Sequence, residues 1–108
     1  MFERKPPIRS TQEDVLELAE EIDRFVFGLA SRIDAIQDAE LAQKSAEVAA
    51  LARVLAQDAD RLGYPSMATS AKGVAMAAED APLDELQETV IELTEIAQRV
   101  RQGHRGAA

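Results

Sequence analysis

An all-α fold, an antiparallel four-helix bundle, is what this 108-residue chain predicts, and three observations carry the prediction. Ala, Leu, Glu, Gln and Arg dominate, a mixture that favours helix, while three Phe, one Tyr and no Trp leave little to build a sheet. Apolar residues recur at steps of three and four through four separate stretches. The breaks between those stretches are short, which makes sequential helices antiparallel neighbours. A chain of this length is one domain and can bury a single core without disulfides or metal.

Residues 1–10 carry Pro6-Pro7 and no periodicity, and read as an irregular arm. Ser10 and Glu13 then have capping-box spacing, so a first helix is expected over about 11–37, starting near Thr11. Its stripe is Val15, Leu18, Ile22, Phe25, Leu29, Ile33 and Ile36. Gly28 interrupts the pattern at a cost of about 1 kcal/mol relative to Ala, and marks either a close helix approach or a bend. Val26 and Phe27 flank the stripe, and both are expected to be buried; an exposed Phe27 would mark a partner or dimer surface.

Gln37-Asp38-Ala39-Glu40 is the expected turn, although it lacks Gly and Pro, and a continuous helix over 11–62 is the alternative. The second helix, about 40–62, has the stripe Leu41, Ser45, Val48, Ala52, Leu55, Ala59 and Leu62. Gly63 closes it and Tyr64-Pro65 prevents continuation. A short Ala-rich third helix follows over about 65–79, with Met67, Ala71, Val74 and Ala78 inward and Gly73 as a close-packing site. Asp80-Ala81-Pro82 is a break, with Pro82 suited to a first helical turn. The last helix, about 82–102, buries Leu83, Leu86, Val90, Leu93, Ala97 and Val100, with Arg99 and Arg101 complementing the dipole of its final turn. Gly103 ends it, and 103–108 read as a flexible tail.

Composition removes whole classes of chemistry. The absence of cysteine excludes a disulfide framework, a thiolate zinc site and a thiol nucleophile, and fits a reducing compartment. A net charge of −8, from 20 acidic and 12 basic side chains, argues against nucleic acid as a partner. No apolar run approaches the roughly 20 residues that span a bilayer, and the N-terminus lacks a signal-peptide core, so a cytoplasmic protein with no membrane partner is expected. One histidine, His104, cannot form two-histidine metal spacing, and no glycine-rich phosphate loop follows a strand. Carboxylate pairs such as Glu20-Glu21, Asp58 with Asp60, and Glu79-Asp80 read as solvated helix surface. The chain is therefore expected not to be an enzyme, and to need neither metal nor cofactor.

The stretch Ala52-Arg53-Val54-Leu55-Ala56-Gln57-Asp58-Ala59-Asp60-Arg61-Leu62-Gly63 resembles the acceptor helix of histidine phosphotransfer (HPt) domains. That helix typically reads Ala-His-x-Leu-Lys-Gly-Ser-Ser-x-x-Leu-Gly, and Ala52, Leu55, Leu62 and Gly63 agree at the same spacing. A short small-residue helix, a break and a long last helix follow as in the family, so the resemblance covers about residues 11–102. It implies a four-helix bundle whose docking face combines the acceptor helix with the helix over 11–37. The departures fall at the chemistry: Arg53 stands at the acceptor position, Ala56 replaces a charge-neutralising Lys, and Gln57 replaces the small residue that admits a receiver. A guanidinium stays protonated and is a poor nucleophile. Lys72-Gly73 echoes the family's Lys-Gly, but no His precedes it.

At about 100° per residue, Arg53 projects roughly 130° from the centre of the second stripe, into water, flanked by Ala49, Ala50, Gln57 and Asp60. The resemblance thus implies a binding-only protein that occupies a response-regulator receiver domain or the dimerisation helices of a histidine kinase. Its expected contact residues are Arg53, Gln57 and Asp60, with Ala49 and Ala56 beside them and Asp23 and Arg24 from the first helix. Two alternatives stay open. The unbroken three-four spacing equally suits a structural protein that self-associates as a homodimer through a hairpin over 11–62. A true phosphotransfer protein would have to use His104.

Overall fold

The structure, a computed structural model, describes residues 5–104. It contains four α-helices: α1 (Ala19–Leu41), α2 (Ser45–Arg61), α3 (Pro65–Asp80) and α4 (Leu83–Gly103). Each packs against its neighbours in sequence and α4 closes the ring on α1, while among the described residues the backbones of the diagonal pairs stay more than 8 Å apart at Cα. This is the antiparallel bundle the periodicity predicts. The α2–α3 interface is the most extensive. Buried alanines on both helices, among them Ala52, Ala56 and Ala59 on α2 and Ala68, Ala71 and Ala75 on α3, let the two backbones come close. Leu29, Ile36, Leu55, Met67, Leu93 and Val100 form the centre of the core.

The stripes hold in their middles and fail at their ends. Ile22 to Ile36 on α1, Val48 to Leu62 around α2, and Leu86 to Val100 on α4 are buried as the spacing requires. Val15, Leu18 and Ala78 are only half-buried, and Ser45 is exposed. Leu41 and Leu83, each at a helix end, stay largely in water. Val26 is buried as expected but Phe27 is 74% exposed, because it lies beyond the edge of the α1 stripe. Neither Gly28 nor Gly73 is a close-packing site: a Cβ added at either meets nothing within 4 Å.

Three boundaries differ from the sequence reading. The first turn is displaced to Ala42-Gln43-Lys44, so α1 runs four residues past Gln37 and the chain is not continuous over 11–62. Gln43 takes φ 59°, the amide of Lys44 donates to Ala39 O (2.9 Å) and that of Gln43 to Glu40 O (3.0 Å). This is the Schellman pattern with glutamine where glycine is usual, which is why no glycine signalled it. The same pattern ends α2 as predicted, with Gly63 at φ 88° and the amide of Tyr64 donating to Ala59 O (2.8 Å). Pro82 is the N-cap residue of α4 and lies just outside its first turn, with Ala81 extended before it.

The start of α1 is the largest departure. Residues 11–14 form a turn, Leu16–Leu18 a single 3-10 turn, and the α-helix begins only at Ala19. Ser10 is not a helix cap. Its buried hydroxyl donates to Leu62 O (2.5 Å) and accepts from the amide of Gln12 (2.9 Å), while the amide of Thr11 donates to Gly63 O (2.8 Å). These bonds satisfy the end of α2, and they hold residues 10–12 away from helical geometry. The arm is irregular as expected, yet it is docked: the amide of Ile8 donates to Arg99 O (2.9 Å) and Arg99 Nε to Pro6 O (2.9 Å). Residues 1–4 of that arm, and 105–108 of the expected tail, lie outside the described residues. Among the described residues, no helix is long and apolar enough to cross a membrane.

Candidate functional site

The helix register of α2 decides what Arg53 faces. Ala52, Leu55 and Ala59 point into the core, and Arg53 lies one residue round from Ala52, on the flank toward α3. Its guanidinium is half in water and forms an ion pair with Glu79 at the end of α3. Gln57 and Asp60 are exposed beside it, as expected.

Three of the other expected residues, Ala49, Ala56 and Asp23, do not join that surface. Ala49 and Ala56 are buried at 2% exposure, so neither offers a contact surface. They occupy the α3 flank of α2, where tight packing needs small side chains. Asp23 is on the opposite side of α1, with Oδ1 2.9 Å from His104 Nε2 at the end of α4. Arg24 is exposed on α1, on the same flank of the helix as Ser31 two turns further on. The seven residues therefore divide into an α2 ridge of Arg53, Gln57 and Asp60, an arginine exposed on the Ser31 flank of α1, two buried alanines, and a carboxylate taken up beside His104.

Between α1 and α2 runs a groove that the sequence reading did not assemble. Its walls are Ser31, Arg32 and Ala35 on α1 and Ala50, Leu51 and Val54 on α2, and it encloses about 470 Å³. Small residues on both helices (Ser31 and Ala35 four apart on α1, Ala50 on α2) line it, and the Ser31–Ala35 spacing was the signal available in the sequence. Val54 and Ala50 form the rim next to the Arg53–Gln57 ridge. At one end, Arg32 donates to Asp58 (3.0 Å) and its guanidinium lies 5.7 Å from the centroid of the Phe25 ring. Phe25 in turn stacks on Tyr64 with centroids 5.7 Å apart. Arg61 bridges α2 to Glu21, and that hydrogen bond and charge raise the already high pKa of the guanidinium. The carboxylates Glu21, Asp58 and Glu79 thus serve as ion-pair partners between helices. Among the described residues, no group of three His, Cys, Asp or Glu side chains has metal-binding geometry.

The far corner of the bundle holds the one imidazole. His104 was expected in a flexible tail; instead its side chain is 8% exposed, held by Asp23 and by an edge contact to Phe27, with centroids 6.4 Å apart. Nε2 meets Asp23 off the ring N–H direction, so the two atoms are close without forming an aligned hydrogen bond. Tyr64 lines the same corner. Burial pushes its phenol up to about 12, with the Glu13 and Asp23 carboxylates adding to the effect. Comparison with protein-family models, with curated proteins and with solved structures finds no match.

Proposed function

We propose that this chain is a non-catalytic, HPt-like docking protein that binds a receiver domain, or the dimerisation helices of a sensor kinase, through the α1/α2 face. The observation that carries the reading is the small-residue groove between α1 and α2, with Arg53 and Gln57 on the ridge next to it. A receiver docks on such a two-helix face in the family this chain resembles. Here the ridge carries a fixed cation where the family carries its nucleophile. That cation has the charge to sit against the acidic pocket of a receiver, and its ion pair to Glu79 is exposed enough to be exchanged at little cost. Phosphate relay through His104 is disfavoured by the burial of that imidazole against Asp23.

The test is an NMR titration of the labelled chain with receiver and kinase dimerisation domains from its own genome. Shifts are expected at Ser31, Ala35, Ala50, Val54, Arg53 and Gln57. Arg53→Ala should weaken binding several-fold and leave the fold intact, because an exposed pair contributes about 1 kcal/mol or less. No shift with any such domain, or an Arg53→Ala variant that binds as tightly as the parent, overturns the reading. Sedimentation distinguishes the self-association alternative: a strict monomer at high concentration removes it.

A further inference from the structure

Charges are unevenly matched around the bundle. On the α1/α2 and α2/α3 sides they pair within the chain, as Arg32–Asp58, Arg61–Glu21 and Arg53–Glu79. From Asp80 to Gln98 the chain carries six carboxylates and no Lys or Arg. None of these six has an ion-pair partner among the described residues. Glu95, from this run, and Glu40 of α1 border a groove of about 310 Å³ between α1 and α4. Its floor is apolar. Leu41 is 76% and Ile91 53% exposed there, and a hydrogen bond from Gln37 Nε2 to Thr94 Oγ1 (3.1 Å) ties the two helices together beneath. Exposed apolar side chains bordered by unmatched carboxylates are a surface whose complement lies outside the chain.

We propose that the α1/α4 face docks a cationic amphipathic helix of a partner protein. Its apolar side chains, at three-four spacing, would cover Leu41 and Ile91, and its Lys and Arg side chains would meet Glu40 and Glu95, with Glu88 two turns before Glu95 on α4. The charge pattern selects this occupant. A second copy of a chain with net charge −8 would set carboxylates against carboxylates, and nucleic acid or an anionic lipid surface would be repelled. The groove between two antiparallel helices also has the length of a helix: α4 alone, at 21 residues, extends about 30 Å. This face is separate from the α1/α2 groove, so neither proposal depends on the other.

The probe is a fluorescent helical peptide of about 18 residues built from Leu and Lys, with Leu at the positions of one apolar face. Its anisotropy is followed against the full chain. Binding is expected in the micromolar range, weakening about tenfold between about 20 and 300 mM salt. The Leu41→Ser/Ile91→Ser double variant should bind about tenfold more weakly, because the apolar contact is lost. Glu88→Gln/Glu95→Gln should lose most of the salt dependence. Both pairs are exposed, and unchanged circular dichroism checks that the variants fold. Parent-like affinity of the double Ser variant would reduce the attraction to net charge and overturn the proposal. So would amide shifts confined to other faces, or a concentration-dependent dimer abolished by the same Ser substitutions, which would assign the face to a second copy.

Discussion

Gly63→Ala is the substitution that most directly probes how this bundle is held together. Gly63 has φ 88°, where a side chain costs about 1–2 kcal/mol. The new Cβ would also stand 2.6 Å from Ser10 Oγ and 2.8 Å from both Gln12 N and Thr11 Oγ1, closer than real contacts allow. The arm must then move, giving up the bonds from Ser10 Oγ to Leu62 O and from Thr11 N to Gly63 O, each worth about 1 kcal/mol net. The sum is a loss of about 3–4 kcal/mol. Two controls separate the causes. Gln43→Gly has the same helix-end geometry without a docked arm, and should gain about 1 kcal/mol from relief of its positive φ alone. Gly28→Ala and Gly73→Ala, in open helical positions, should each gain about 1 kcal/mol. Thermal and denaturant unfolding read all four, and the expected loss at Gly63 corresponds to a drop of more than about 10 °C. If Gly63→Ala lies within about 1 kcal/mol of the parent, the docked arm does not stabilise the fold and the reasoning fails.

Tyr64 supplies a pH signature. Its pKa is about 12 in the fold against 10.0 for the free side chain, so the folded state keeps a proton that the unfolded state has released. Stability from this group is complete below about pH 10 and is lost as pH rises toward 12, by roughly 2–3 kcal/mol in all. Denaturation profiles of Tyr64→Phe should be flatter across that window, and an unchanged slope would show that other groups control it. Arg32 combines a partly buried bond to Asp58 with a position over the Phe25 ring. Arg32→Ala should cost about 1 kcal/mol in urea unfolding. Arg32→Lys should restore only part of that, since an ammonium cannot reproduce the planar guanidinium over the ring; full rescue by lysine would mean that charge alone matters.

The bundle was legible in the sequence because burial in a helix is periodic. Ile22 to Ile36, Val48 to Leu62 and Leu86 to Val100 announce their buried faces with no knowledge of their partners, and Gly63-Tyr64-Pro65 announces a helix end through backbone sterics alone. Where a local rule competed with a contact distant in sequence, the sequence reading went wrong. Ser10 and Glu13 spell a capping box, but the Ser10 hydroxyl finds Leu62 O, 52 residues away, and the helix starts at Ala19. The turn at Gln43 was missed because glutamine carries no mark of a positive φ that surrounding packing imposes on it.

The same division governs the candidate site. Periodicity alone put Arg53, Gln57 and Asp60 in water. It could not say that Ala49 and Ala56 lie under α3, that Asp23 belongs to the His104 corner, or that small residues on α1 and α2 line up into a groove. Composition by itself determined that the chain is acidic, helical and without a thiol. Only the tertiary structure decided which carboxylates meet a cation and which are left without one. Charge pairing depends on the relative rotation and register of packed helices, and that is fixed by how their side chains interlock.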